Sequence, residues 1–316
     1  MHEEILVQVE NLSRSYGPHL AVDNISFHVN RGEVLGFLGP NGAGKSSTMQ
    51  MLTGNLAPSL GKISINGADL LDQPLKAKAA IGYLPEHPPL YLELTVKEYL
   101  RYAARLNRIP RADISGAVER AMQRCGLGDM GKRLINNLSK GYQQRVGIAQ
   151  AVIHSPPVVV LDEPTVGLDP LQIREIRRLV RDLSSEHSVI ISTHILPEVQ
   201  ATCDRVQIIH HGRLVLSDSI DGLQRQMRPN SLIVGLRQPP ADSALQDISG
   251  IRSSSALDHQ RWRVHFEPDN NPAEAIAIAA AQQGWGLFEL APERLSLEQV
   301  FVDITSRDHA QPQEAA

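Results

Sequence analysis

Cysteine is nearly absent: the 316-residue chain has two, Cys125 and Cys203. They lie far apart and fit no metal-ligand spacing, so buried thiols in a reducing interior are expected rather than a disulfide framework. No run approaches eighteen apolar residues, so no segment is expected to span a bilayer. The start, MHEEILVQVE, is acidic and alternating rather than basic and then apolar, so no signal peptide is expected. Charge is nearly balanced. A net charge of −4 lacks the basic excess of a nucleic-acid binder, so no nucleic-acid partner is expected. Nor is there an internal repeat, a coiled-coil heptad or a low-complexity tract. These absences leave a cytoplasmic protein as the expectation, one still able to dock on a membrane partner.

What is present is an ordinary globular composition, 42% hydrophobic and 21% charged, long enough for one large domain or two unequal ones. ILVQVEN at 5–11 and ISFHV at 25–29 alternate as strands do. VLGFL at 34–38 is continuously apolar, as in a strand buried on both faces. A helix follows from Lys45 to about Leu52, and Asn66-Gly67 signals a hairpin turn. From 94 to 155 the pattern is helical. Thr95 and Glu98 form a capping box, Pro110 ends that helix, Asp113 is placed to cap a second, and Ser139 a third reaching about His154. VVVL at 158–161 and SVIIS at 188–192 are strands again. Between them Asp169-Pro170 opens a helix with Ile173, Ile176, Val180 and Leu183 on one face. IIHHGRLV at 208–215 reads as a hairpin turning at His211-Gly212.

The expected fold is α/β: a mixed β core over residues 1–222 with a helical region inserted at about 94–155. Residues 223–307 change rhythm and read as a small α+β domain. Its strands are SLIVGLR, RWRVHFE and WGLFEL, its helices PAEAIAIAAAQQG and SLEQVFVDIT, with Trp262 and Trp285 as core residues. The polar tail, 308–316, is expected to be disordered.

Gly39-Pro40-Asn41-Gly42-Ala43-Gly44-Lys45-Ser46, followed by Ser47, fits G-x-x-x-x-G-K-[ST] between a strand and a helix. Glycines let backbone N–H groups turn inward around phosphate, and the helix N-terminus adds partial positive charge. Lys45 is expected to reach the β- and γ-phosphates of ATP, and the Ser46 hydroxyl to ligate Mg²⁺. An incidental glycine-rich turn is the bland alternative, and the strand–loop–helix context disfavours it. VVVLDEP at 158–164 ends a buried strand on Asp162 and Glu163, two adjacent acids whose burial needs a compensating cation or proton. Asp162 is expected to hold the metal. Glu163 is expected to polarise the attacking water. A polar strand end before Pro164 is the plain alternative. A second candidate grip, Ser139-Lys140-Gly141 in LSKGYQQR, lies about a hundred residues downstream of the first.

In order the chain shows GPNGAGKSS, IGYLPE, LSKGYQQR, VVVLDEPTVGLDP and STH. With this set, residues 4–222 resemble the ATP-binding-cassette family, a P-loop NTPase fold, and most closely the ATPase subunits of ABC-2-type exporters of the gliding-motility, sodium-exporter and drug-resistance groups. The resemblance implies cassettes that pair head to tail, each ATP held by one phosphate loop and the other cassette's signature. By it Ser139 and Gly141 complete the partner's site, whereas Ser139 also serves as an N-cap. Tyr16 matches the aromatic that stacks on adenine, against an ordinary strand-end tyrosine. His194 matches a γ-phosphate contact. Asp169 matches an acid facing the partner and can also cap its helix. Glu86 stands where Gln is commoner; it either ligates Mg²⁺ or points away and acts in coupling. Lys140 and Tyr142 depart from the common LSGGQ.

The resemblance further implies an ATPase that drives export through separate transmembrane permease subunits and sits peripherally on the inner membrane face. EHPPLYLEL, with Leu90, Tyr91 and Leu92, is either the surface that meets the permease or core of the helical region. The competing reading is a soluble cassette ATPase with a mechanochemical or regulatory role. One cassette, no coiled coil and no basic arm weigh against the ribosome or DNA form, and intact Lys45, Asp162, Glu163 and His194 against a non-hydrolysing regulator.

Overall fold

The computed structural model describes residues 4–226, 231–238, 240, 245–267 and 270–293. They fall into two compact units divided between Ile220 and Asp221. The first opens with β1 (Ile5–Tyr16), β2 (His19–Asn30), β3 (Val34–Leu38) and α1 (Lys45–Leu52). Then come β4 (Leu60–Ile65), β5 (Ala68–Asp69), α2 (Pro74–Ala79) and β6 (Ile81–Leu84). The inserted helices are α3 (Val96–Leu106), α4 (Ile114–Arg124) and α5 (Lys140–Val152). The core resumes with β7 (Val158–Asp162), α6 (Pro170–Leu183), β8 (Ser188–Thr193), α7 (Leu196–Thr202), β9 (Arg205–His210) and β10 (Arg213–Ser219).

A six-stranded sheet, β10-β9-β3-β8-β7-β6, carries the site. Every pairing from β9 to β6 is parallel, and β10 closes one edge antiparallel. β3, β7 and β8 are buried along their whole lengths, which is why VLGFL, VVVL and VII read as apolar runs rather than alternating ones. A four-stranded antiparallel sheet, β2-β1-β4-β5, shares the core, with Phe27 tilted against Phe37 at 5.5 Å. β1 and β2 run well beyond the alternating stretches of the sequence. Their ladder shifts register where Asn11 and Asn24 take φ of 48° and 51°, and a bulge breaks period-two patterning. Both predicted hairpin turns have two positive-φ residues, Asn66-Gly67 and His211-Gly212.

The Thr95 capping box forms, with Glu98 N donating to Thr95 Oγ1 at 3.3 Å and Thr95 N to Glu98 Oε2 at 2.9 Å. Asp113 makes no side-chain cap, because its own backbone is already helical rather than extended. On α6 the buried face is Ile176, Leu179, Val180 and Leu183, and Ile173 at its start is half-buried. α5 lies hard against β6: a Cβ on Gly82 would strike the Ala151 carbonyl, and one on Gly147 would come 2.5 Å from Leu84 Cδ1. Both cysteines are buried, and burial pushes each thiol up to about 12.

The division falls at the head of α8 (Ile220–Gln226). The second unit contains β11 (Ser231–Leu236), β12 (Ile251–Ala256), β13 (Arg261–Phe266), α9 (Ala273–Gln282) and β14 (Leu287–Pro292). Its sheet runs β12-β13-β11-β14, and Trp262, Val264, Phe266 and Leu232 pack with Ile276. Trp285 is partly buried against that core. β12, IRSSSA, has no apolar alternation to announce it, because it is a polar edge strand. The expected helix SLEQVFVDIT and the tail 308–316 lie outside the described residues. Among the described residues no helix is long and apolar enough to cross a membrane.

Candidate nucleotide site

The loop between β3 and α1 is built on glycines placed where a side chain would be strained or would clash. Gly42 and Gly44 have φ of 81° and 107°. A Cβ on Gly44 would sit 2.5 Å from Ala21 O, and one on Gly39 would strike Ile209 O. The loop is tied to its neighbours by Gly39 N donating to Thr193 O at 3.3 Å and Gly212 N donating to Ala43 O at 3.0 Å. Lys45, buried at the head of α1, donates to the Gly39 carbonyl at 2.8 Å and the Pro40 carbonyl at 3.2 Å. The backbone turns in and the ammonium spans the loop, leaving N–H groups and the helix start facing one cleft.

That cleft has about 1160 Å³ of space open to solvent. Tyr16, Asn41, Gly42, Gly44, Lys45, Ser46, Ser47, Glu86, Glu163 and His194, each expected there, line it. Gly39, Pro40 and Ala43 form the loop behind. Tyr16 stands at the end of β1, 44% exposed, so a ring face is free for a flat ligand. Its geometry has a feature the sequence did not show: the Arg14 guanidinium lies over the ring, 4.7 Å from its centroid. His19, Ala21 and Val166 also line the cleft without having been anticipated.

β7 and β8 deliver the acids side by side. Asp162 accepts a hydrogen bond from Ser192, next to it on β8, and the Ser46 hydroxyl stands near enough to act on its carboxyl. Burial raises the Asp162 carboxyl above the ordinary 3.8. The Ser192 hydrogen bond opposes that rise, the nearby charges of Glu163 and Glu86 add to it, and the Ser46 hydroxyl opposes it again. Ser192 carries no motif role in the sequence beyond preceding Thr193-His194, and only strand pairing reveals it. Glu163 is buried, with Oε1 3.4 Å from Lys45 Nζ and Oε2 3.0 Å from His194 Nδ1. Ser46, Asp162 and Glu86 form an all-oxygen donor set of the kind a hard divalent ion takes. Among the described residues no three acidic, histidine or cysteine side chains converge as a complete cage. An ion held here would fill the rest of its shell with water or with oxygens of a bound ligand.

Asp162 is buried behind the cleft wall, and three further expected residues do not line the cleft: Ser139, Gly141 and Asp169. Ser139 is exposed at the N-terminus of α5, and Tyr142 N donates to its hydroxyl at 3.4 Å. Gly141 is buried under Gln172, whose Cδ lies 2.7 Å from where a Cβ would stand. Asp169 caps α6, accepting from Leu171 N at 3.0 Å and Gln172 N at 2.9 Å. Downstream of Glu86, Tyr91 and Leu92 are exposed and Leu90 is half-buried. Tyr91 meets Tyr102 edge-on at 5.4 Å, whereas Tyr99 and Leu100 are core.

The family model described as ABC transporter matches residues 22–166. The chain is 36% identical to the uncharacterized ABC transporter ATP-binding protein YxlF of Bacillus subtilis (strain 168), over 95% of this chain and 99% of that one. It is 37% identical to the bacitracin transport ATP-binding protein BcrA of Bacillus licheniformis, over 71% of this chain and 72% of the relative. Its structure is similar to that of cbiO1 from Clostridium perfringens, part of the ABC transporter complex cbiONQ. That match has a TM-score of 0.65 and 31% identity, and covers 71% of this chain and 92% of the other.

Proposed function

Because this chain belongs to the ATP-binding proteins of ABC transporters, a family of ATPases that work with transmembrane partners, we propose that it powers export through separate ABC-2-type permease subunits. We take the cassette to end near residue 222, close to where the two compact units divide, with a separate small domain after it. Its similarity to a bacitracin transport ATP-binding protein supports the export reading. The cleft takes MgATP: adenine on Tyr16, phosphates on the loop of Gly39 to Ser47, and Mg²⁺ beside Ser46, Asp162 and Glu86. Mg²⁺ supplies charge neutralisation on the phosphate oxygens when bound. Glu163 accepts a hydrogen bond from the attacking water and orients it, and His194, 3.0 Å from Glu163, reaches the γ-phosphate.

One observation carries the rest of the reading. Ser139 and Gly141 have the form of a phosphate grip, yet neither lines the cleft of its own chain. A second copy placed head to tail would bring them to its γ-phosphate, with Asp169 facing across the interface. The Ser139 cap then gives way to ligand, and closure depends on ATP. The exposed Tyr91 and Leu92 support a permease contact downstream of Glu86. The complex would sit on the inner face of the membrane.

The deciding experiment is light scattering on Glu163→Gln with MgATP, where slowed hydrolysis traps the closed pair. The expected result is an ATP-dependent dimer that Ser139→Arg abolishes. A chain that stays monomeric throughout, or a dimer indifferent to Ser139→Arg, would reject the homodimeric site.

A further inference from the structure

Glu163 has a φ of 46°. A residue with a Cβ keeps that left-handed conformation only when its surroundings over-determine it. One hold is its own N–H, which donates to Ser192 O at 3.1 Å and to Ser192 Oγ at 3.2 Å. A second hold lies two residues on. Thr165 Oγ1 donates to Glu198 Oε2 at 2.7 Å, and Thr193 Oγ1 donates to the same oxygen at 3.1 Å. All three side chains are buried. Thr193 directly precedes His194, and Ile195 N donates to its hydroxyl at 3.1 Å. One carboxylate oxygen on α7 therefore clamps both the loop leaving Glu163 and the strand end that presents His194.

The other oxygen, Glu198 Oε1, is buried without a hydrogen-bond partner. Arg177 Nε on α6 and the Thr202 hydroxyl are likewise buried and unpaired. All three residues line one small cavity with Val180, Val199 and Cys203. A carboxylate half-satisfied in such a place costs free energy that an apolar side chain of the same size would avoid. Packing alone does not account for it; the oxygen that holds two threonines does.

We propose that Glu198 is a positioning residue for ATP hydrolysis, fixing Glu163 and His194 relative to each other by clamping Thr165 and Thr193. The proposal rests on the roles given above to Glu163 and His194. The loop and the strand end come from different parts of the chain, and β7 and β8 pair only up to Asp162 and Ser192. Beyond those residues the Glu198 clamp spans the two segments next to the catalytic pair.

The test is steady-state ATPase kinetics on the full chain, with NMR of the His194 ring resonance as a readout independent of turnover. Glu198→Leu is expected to lower kcat by roughly tenfold to a hundredfold with KM for ATP nearly unchanged, the scale of a misplaced reacting group. Glu198→Gln keeps a carbonyl oxygen that accepts both hydroxyls, so it is expected to restore kcat to within about threefold of wild type. The His194 resonance should move in the first variant and return in the second. A folded Glu198→Leu chain with wild-type kcat and an unmoved His194 resonance would overturn the proposal, as would Glu198→Gln behaving like Glu198→Leu. If Glu198→Leu does not fold, Thr193→Val and Thr193→Ser put the same question to the other end of the bond, with the same loss and rescue expected. Glu163→Gln is measured in parallel. Wild-type turnover there would reject the catalytic role of Glu163, and the His194 resonance would still judge the clamp by itself.

Discussion

Lys45 Nζ lies 3.4 Å from Glu163 Oε1, and each side chain is 6% exposed. The cation proposed to meet phosphate and the carboxylate proposed to activate water are thus a buried ion pair. Removing one partner of such a pair leaves the other charge uncompensated, at a cost of roughly 3–5 kcal/mol. Lys45→Met should lose stability on that scale in urea titration. Lys45→Met combined with Glu163→Gln should regain more than half of it. Simple addition of the two single losses would show that the pair is not coupled.

Asp162 tests the same economy by pH. Its carboxyl is raised above the ordinary 3.8, chiefly by burial. A raised folded value means that the protonated form favours the fold. That stability is fully present below the ordinary carboxylate range and is lost as pH rises through the raised value. Asp162→Asn should therefore raise Tm at neutral pH, and the gain should shrink to nothing as the medium is acidified. MgATP should reverse the order, stabilising wild type more than the variant.

The two phosphate grips should answer differently to alanine. At Gly44 a Cβ meets the backbone oxygen of Ala21 at 2.5 Å and φ is 107°, so the fold itself is strained. Gly44→Ala should cost about 1–3 kcal/mol of stability. At Gly141 the Cβ meets the far end of Gln172, which can swing aside. Gly141→Ala should stay near wild type in thermal stability yet weaken the ATP-dependent dimer. Equal destabilisation by both would argue that Gly141 is only a packing glycine.

Tyr16 presents one face to the cleft and lies under Arg14. Loss of a base–aromatic stack costs about 1–3 kcal/mol. Tyr16→Ala should weaken ATP binding by the corresponding factor in calorimetry, and Tyr16→Trp should keep it. Arg14→Ala should fall between, because the ring remains but loses its support.

The phosphate loop, the acid pair at the end of β7 and the N-caps at Ser139 and Asp169 were legible because each is local. Chemistry and conformation sit within a few consecutive residues. What escaped was whatever depends on partners distant along the chain. Ser192 pairs with Asp162 only because β7 and β8 are neighbours. Glu198 meets Thr165 across 33 positions. Arg14 and Tyr16 are the exception: two residues apart on one strand, they share a face, and their stacking was open to a reading of alternation that stopped short of residue 14. Asp113 shows the converse failure: the right residue type in the right place made no cap, since the chain had already begun to turn.

The close seating of α5 on β6 has a mechanical consequence. Where Gly82 faces the Ala151 carbonyl, backbone meets backbone with no side chain between to act as a cushion. The strand leads to Glu86 in the cleft, and the 13-residue helix, about 20 Å long, begins at Ser139. A joint without slack passes displacement on undamped. Any shift that a nucleotide imposes through Glu86 would swing the far tip of α5, so in the proposed head-to-tail pair each cassette would aim its grip on the neighbour's ATP according to the ATP it already holds.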